Sequence, residues 1–169
     1  MGDARRFLLP PAAVALTLAA QPLSAQTPDA VAAKGEAVLD ELHAEGAQVY
    51  ECKPAQSGAL TWQFREPIAT LIRDGKTVGR HYAGPSWELL DGSVVVGKAV
   101  ARAPGAKETD IPWLKLEVSD RRGSGALETV TTIQRVNTKG GQAQGPCPKE
   151  GDFLSVPYSA DYVFLRKAQ

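Results

Sequence analysis

The sequence has few of the residues from which metal centres and nucleophilic active sites are usually built. Its 169 residues include two histidines and two cysteines, and neither cysteine has a second cysteine or a histidine at ligand spacing. No Gly-x-Ser-x-Gly elbow, phosphate-binding loop or His-Glu-x-x-His motif occurs. The sequence therefore predicts no cofactor and no metal, although one histidine with carboxylates could still bind a metal ion.

The chain also lacks an excess of charge of either sign. Nineteen Lys and Arg residues balance nineteen Asp and Glu residues, and neither sign forms a long block. Partners held by bulk electrostatics, such as nucleic acids, need clustered Lys and Arg. The composition thus predicts no nucleic-acid partner and leaves open only a local charged patch. The length fits one domain.

The N-terminus has the pattern of a secretory signal peptide. Arg5 and Arg6 form a short basic segment, residues 7–20 form an apolar run, and Ala25 is a small residue suited to cleavage. An uncleaved anchor is disfavoured because the run, at about 1.5 Å per residue, is shorter than a ~30 Å hydrocarbon core. We expect residues 1–25 to be removed, no stable membrane insertion afterwards, and a periplasmic or secreted protein.

The expected export affects how the two cysteines are interpreted, because exported proteins can form disulfides. An oxidising compartment favours a disulfide between Cys52 and Cys147 over the alternatives, which are thiol catalysis and metal binding. A crosslink that closes so long a loop is worth about 4–5 kcal/mol in a chain-entropy account.

Two regions of different periodicity follow the signal peptide. Apolar residues recur at roughly helical spacing from Val31 to Leu42, which predicts a helix over 29–44 within an N-terminal segment, residues 26–46. From Ala47 the apolar period becomes two, which predicts a β-rich domain over residues 47–169. Leu60, Trp62 and Phe64 share one face of a predicted strand, and we expect that face to lie in the core.

About eight or nine short strands are predicted, and Asp-Gly pairs at positions 74–75 and 91–92 predict tight hairpin turns. Crossover helices are lacking, so a parallel α/β fold is excluded. The predicted class is mainly β, an antiparallel β-barrel or a curved β-sandwich with one N-terminal helix. The pattern leaves the two architectures open.

The stretch from His81 to Ser93 contains several residues whose side chains are suited to ligand binding or catalysis. Alternation places His81 and Tyr82 on opposite faces of a strand, and Gly84-Pro85 breaks that strand. The imidazole either fixes this bend by a hydrogen bond or faces a ligand. Glu88 and Asp91 point to opposite sides and do not form an obvious catalytic pair.

Several segments together resemble one known family. They are Val49-Tyr50-Glu51-Cys52, Trp62-x-Phe64, the stretch from His81 to Ser93, Ile111-Pro112-Trp113-Leu114, Ile133-Gln134-Arg135-Val136 with the glycines that follow it, and Val156-Pro157-Tyr158-Ser159-Ala160-Asp161-Tyr162. This combination is similar to a family of exported bacterial and fungal proteins of unknown function, DUF3455. The resemblance covers about Gly46 to Phe164 and implies a single exported β-rich domain, without an activity.

The residues favour a non-catalytic small-ligand-binding or structural module. In that hypothesis a pocket at the bend is lined by His81, Tyr82, Trp87 and Tyr158. The alternative is an enzyme, such as a hydrolase, an isomerase or a metal-assisted enzyme, that uses His81 with Glu88 or Asp161 for acid–base chemistry.

A weaker hypothesis is carbohydrate binding, in which a sugar ring stacks on Trp113 or Trp87. The expected partner is therefore a small molecule or a glycan. The sequence predicts no oligomeric state.

Overall fold

A computed structural model describes residues 27–168, which form eight antiparallel strands in one sheet. The strands are β1 (Ala37–Pro54), β2 (Leu60–Arg73), β3 (Lys76–Tyr82), β4 (Ser86–Leu89), β5 (Val94–Ala103), β6 (Trp113–Arg122), β7 (Thr132–Gly140) and β8 (Phe153–Arg166). Each strand pairs with the next, and β8 pairs with β1, so the sheet closes into a barrel. The predicted mainly β class is confirmed, and this closure distinguishes a barrel from a sandwich. The predicted signal peptide lies outside the described residues.

The predicted N-terminal helix is wrong. Residues 29–31 form a single 3₁₀ turn, and the chain enters β1 at Ala37. In β1 the side chains of Leu42 and Ala44 are buried at alternate positions, whereas Val38 and Leu39 are exposed. Pairing with β8 along the length of β1 thus outweighs the near-helical spacing of four apolar residues. Among residues 27–168 no helix is long and apolar enough to cross a membrane.

Residues 28–36 form an N-terminal strap on the outside of the barrel. Val31 is fully buried against Trp113 and Val136, which lie on the outer face of β6 and β7. The amide of Gln134 donates a hydrogen bond of 2.6 Å to the Val31 carbonyl. The strap therefore covers part of the outer surface and leaves the interior unaffected.

The two Asp-Gly pairs form the predicted turns. Asp74 and Gly75 both have positive φ, 50° and 72°, as the tight turn between β2 and β3 requires. At the second turn the Asp91 carboxylate accepts hydrogen bonds from the Ser93 amide and hydroxyl and from the Ala126 amide. These bonds, the Ala126 one first, lower the pKa of Asp91.

One half of the barrel interior is filled and the other is not. Leu42, Leu71 and Phe164 fill the first half, and the connection between β6 and β7 places Leu127 and Val130 at its end. β2 is continuous over fourteen residues, and the barrel has eight strands, the lower of the two predicted numbers. The core thus closes one end of the barrel, and the other end is open.

A disulfide joins Cys52 in β1 to Cys147 in the connection between β7 and β8. The two Cα atoms are 5.6 Å apart, and the cysteines are 95 positions apart in the chain. The Cys52 backbone also exchanges hydrogen bonds of 2.9 Å with Asp152 and Gly151. The crosslink therefore fixes the β7–β8 connection beside the open end of the barrel.

Candidate functional site: a cavity in the open end of the barrel

A cavity of about 860 Å³ occupies the open end of the barrel. Strands β1, β2, β5, β6 and β7 form its wall, and the bend after β3 and the β5–β6 and β7–β8 connections contribute to its mouth. Its lining includes Gln48, Tyr50, Trp62, Phe64, His81, Pro85, Ala99, Arg102, Ile111, Leu114, Leu116, Arg135 and Gln142. The volume lies in the range of small-molecule sites.

Stacked rings form the floor beside the bend. The rings of His81 and Trp87 are nearly parallel, with centroids 4.4 Å apart and planes at 15°. Tyr162 meets both rings, at 4.9 Å from His81 and 5.2 Å from Trp87. Gly97 lies beneath Trp87, where an added Cβ would come within 2.9 Å of the indole. The glycine therefore makes room for the ring in the barrel interior.

His81 has a structural hydrogen bond and a strongly lowered pKa. Its Nδ1 lies 2.9 Å from the Ser86 carbonyl oxygen, and this nitrogen must carry the hydrogen because a carbonyl only accepts. Only 3% of the residue is exposed. Burial is the main cause that lowers its pKa to about 3, while the Ser86 bond opposes the shift and the nearby Arg135 charge adds to it. The imidazole is therefore neutral near pH 7.

Arg135 places a charged group on the inner wall of the barrel. It shares the inward face of β7 with Ile133, and its neighbours across the sheet are Leu114 on β6 and Tyr162 on β8. Its Nε and Nη2 donate hydrogen bonds of 3.1 and 2.8 Å to the Pro112 carbonyl. A second void, of about 20 Å³, lies between Arg135 and the stacked rings. The guanidinium is thus half-buried on the inner wall at the floor of the cavity.

Buried hydroxyl and amide groups surround the guanidinium. The hydroxyls of Tyr158 and Tyr162 are 3.3 Å apart, and Tyr50 donates a 2.7 Å hydrogen bond to the Gly141 carbonyl. Burial raises the pKa of all three tyrosines, and the Arg135 charge opposes the shift in each. The amide nitrogen of Gln48 lies near Tyr158 but reaches no acceptor at hydrogen-bonding geometry within the described residues. The floor is therefore rich in polar groups that remain neutral.

The cavity rim is aromatic, and the sequence-based assignment of its residues to the core is wrong. Trp62 and Phe64 do share a face of β2, but that face lines the cavity, and 55% of Phe64 is exposed. This part of β2 pairs with β1 near Cys52, beyond the half of the barrel that the core fills. Alternation therefore predicted the shared face correctly but could not show that the face borders a cavity.

Two of the predicted site residues lie on the outer face of the sheet. The Tyr82 hydroxyl and the Arg80 guanidinium each donate a 2.9 Å hydrogen bond to one oxygen of Glu88. The Arg80 bond is the main cause that lowers the pKa of Glu88. Tyr82 and Glu88 are therefore separated from His81 by the sheet itself.

Asp161 is also on the outer face, where it contacts the other histidine. One carboxylate oxygen lies 2.7 Å from Nδ1 of His43, and the other accepts a 2.8 Å hydrogen bond from Asn137. Neither Asp161 nor Glu88 thus reaches His81. Among residues 27–168 no three His, Cys, Asp or Glu side chains converge on a point that could hold a metal ion.

The two tryptophans predicted as sugar platforms are buried. Trp113 lies under the N-terminal strap, and only 1% of Trp87 is exposed, on the barrel floor. Stacking of a sugar ring needs an open indole face, so the structure does not offer these two residues to a glycan. Tyr158 faces the interior and is buried. Of the five predicted ligand-contacting residues, His81, Trp87 and Tyr158 belong to the barrel interior.

Sequence reasoning missed Arg135, Gln48 and Tyr50. Arg135 stands two residues after Ile133, so alternation alone could have placed it on the inward face of β7. The general rule that charged residues face solvent argues against such a placement. Gln48 and Tyr50 lie two residues apart on β1 and could have been paired in the same way.

Comparisons with known proteins give a family and no activity. No curated protein matches the chain, and no solved structure matches it. The family model described as "Protein of unknown function (DUF3455)" matches residues 32–166, which include the whole barrel. The chain therefore belongs to the DUF3455 family.

Proposed function

We propose that this protein is an exported, non-catalytic domain that binds a small molecule in the open end of its barrel. The observation that carries this proposal is the cavity of about 860 Å³, which has an aromatic rim and polar groups at its floor. Ligand sites in small barrels have this construction, with apolar walls and a few polar groups that fix orientation.

The geometry favours binding over acid–base catalysis. An acid–base mechanism needs a group that titrates near the working pH and reaches a substrate. His81 is almost fully buried, its pKa is lowered to about 3, and the carboxylates of Glu88 and Asp161 lie across the sheet. The interior supports ligand contacts better than proton transfer.

Export is part of the proposal. The signal-like pattern of residues 1–25 and the disulfide between Cys52 and Cys147 both fit an oxidising compartment. We expect the mature protein to begin at Gln26 and to occur in the periplasm or outside the cell. Mass measurement of the protein from a periplasmic extract tests the cleavage site, and an intact N-terminus in a cytosolic fraction would contradict it.

A thermal-shift screen with a matched pair of variants tests the binding function. Ala99 lines the cavity on β5, and Lys98 is exposed on the opposite face of the same strand. Ala99→Trp places an indole in the cavity, and Lys98→Trp adds the same group outside it. A ligand at one hundred times its Kd stabilises the folded state by about 2.7 kcal/mol, which raises Tm by several degrees.

We expect compounds that raise the Tm of the wild type to act equally on Lys98→Trp and not on Ala99→Trp. Stabilisation that survives in Ala99→Trp would place the binding site elsewhere. A screen of apolar and amphipathic small molecules without any stabilising compound would refute the proposed function.

A further inference from the structure

Arg135 is a charged side chain that the fold holds inside the barrel, and residues 27–168 offer it no partner of opposite charge. Its guanidinium donates two hydrogen bonds to the Pro112 carbonyl and lies close to the Tyr162 hydroxyl, and both partners are neutral. Several other arginines form ion pairs, for example Arg80 with Glu88 and Arg73 with Asp40, but no carboxylate lies within ion-pair distance of Arg135 in the described part of the chain. A half-buried charge whose partners are all neutral is costly, and a bound anion would compensate for that cost.

The surroundings of Arg135 do not supply a negative charge. Within the described part of the chain, the cavity lining contains two arginines, Arg102 and Arg135, and neither aspartate nor glutamate. Arg102 is exposed at the rim, on the inward face of β5 opposite Leu114. His81 contributes no charge near neutral pH, because its pKa is lowered to about 3 by burial. The deep part of the site therefore carries one positive charge, which a single negative group would balance.

A second polar group at the floor also lacks a partner. Gln48 is 2% exposed and lines the cavity, and its amide nitrogen has no hydrogen-bond acceptor within residues 27–168. An unpaired buried donor costs free energy unless a ligand or water pairs with it. An oxygen-rich anion bound at Arg135 would bring acceptors to this part of the cavity. A carboxylate has up to four acceptor positions and matches the planar guanidinium.

The rest of the cavity is suited to an apolar body. Leu114, Leu116 and Ile111 line its wall, and Trp62 and Phe64 line its mouth. Such walls remove apolar surface from water and do not provide partners for further charges. A molecule with several charges or many hydroxyl groups would leave polar groups unpaired against them.

We propose that the ligand is an amphipathic monocarboxylate, whose carboxylate pairs with Arg135 at the floor and whose apolar body lies between the leucine wall and the aromatic rim. This inference rests on the proposed binding function and specifies its ligand class. Arg102, at the rim, steers the anion toward the mouth. The deep guanidinium provides the selectivity for a carboxylate over a neutral molecule of the same shape.

The test uses two pairs of compounds that differ in charge but hardly in shape. They are naphthalene-2-carboxylate with naphthalene-2-carboxamide, and octanoate with octanamide, each titrated calorimetrically into the disulfide-bonded mature protein at pH 7. We expect each carboxylate to bind the wild type at least tenfold more tightly than its amide. In Arg135→Gln the preference should fall below threefold, because the neutral side chain has no charge to pair with the carboxylate.

Arg80→Gln is the matched control, since Arg80 lies on the outer face and pairs with Glu88. This variant should keep the tenfold preference. Arg135→Lys retains the charge and loses the planar fork, so it should weaken carboxylate binding by about three- to tenfold without changing amide binding. Circular dichroism confirms that each variant is folded, and the wild-type comparison of acid with amide requires no variant.

Equal affinity for acid and amide in the wild type would overturn the carboxylate inference and leave the cavity as a site for neutral molecules. A preference that persists in Arg135→Gln would overturn the role of Arg135. If the wild type binds none of the four compounds, this inference fails, whereas the proposed binding function is decided separately by the Ala99→Trp screen.

Discussion

Burial of a neutral histidine should make this protein sensitive to mild acid. His81 is stacked on Trp87, faces Tyr162 and Arg135, and donates to the Ser86 carbonyl. Its pKa is about 3 in the folded protein and about 6.5 in an unfolded chain. Between these values the unfolded state binds a proton that the folded state does not. The free energy of unfolding is therefore close to its full value above about pH 7 and decreases as the pH falls toward 3.

The size of the effect follows from the two pKa values. A difference of one pKa unit corresponds to about 1.4 kcal/mol, so the destabilisation from His81 alone is about 2 kcal/mol at pH 5 and about 0.2 kcal/mol at pH 7. Full protonation below pH 3 would cost about 5 kcal/mol, which is comparable to the whole stability of many domains. The measurable window therefore lies between pH 5 and pH 7.

Urea unfolding of His81→Gln and of the wild type at pH 7 and pH 5 measures the contribution of His81 to the free energy of unfolding. Glutamine can still donate to the Ser86 carbonyl but cannot be protonated. We expect the decrease in the free energy of unfolding between the two pH values to be about 2 kcal/mol smaller in the variant. An identical decrease in His81→Gln and wild type would refute the account of a buried neutral imidazole.

Three further predictions concern stability. Replacing Cys52 and Cys147 by alanine removes a crosslink across 95 positions and should lower the free energy of unfolding by about 4–5 kcal/mol at most. Urea unfolding without reductant measures this loss, and a loss below about 1 kcal/mol would contradict the prediction. Gly46→Ala places a Cβ against the backbone of the neighbouring strand β2, so the free energy of unfolding should fall by about 1–3 kcal/mol, measured by thermal melting. An unchanged Tm would contradict the close approach of β1 and β2 at this position. Val31→Asp puts a charge under the N-terminal strap and should detach the strap, lowering the free energy of unfolding by more than about 2 kcal/mol. Exposure of Trp113 should then shift the tryptophan fluorescence to the red. Val38→Asp, at an exposed valine, is the control and should cause neither effect.

Local patterns were sufficient for the turns and for the orientation of side chains within a strand. The Asp74-Gly75 pair requires a backbone that few other dipeptides adopt easily, and the hairpin forms there. Alternation correctly separated the inward His81 from the outward Tyr82, because successive side chains in a strand must point to opposite faces. Such features depend on adjacent residues, so the sequence contains the necessary information.

Long-range pairing explains what could not be predicted. Residues near Leu42 have apolar neighbours at helical spacing, and only the distant strand β8 makes them a strand. Similarly, alternation places Phe64 beside Trp62 but does not indicate that the interior next to them is empty. Alternation places Arg135 on the same face of β7 as Ile133, but the cavity that accommodates its guanidinium is lined by residues far from it in the chain.

Closure of the barrel pairs the first strand with the last, and we call this β1–β8 junction the seam of the barrel. β1 and β8 pair from Ala37 with Arg166 to Glu51 with Phe153, with one register shift between Val38 and Asp40. The disulfide reaches Cys52 on β1 from a residue shortly before β8. Until the C-terminal strand arrives, β1 and β7 present open edges that can pair with another chain. A protein truncated before Phe153 should therefore aggregate, and the covalent link at this seam keeps the final strand beside its partner during refolding.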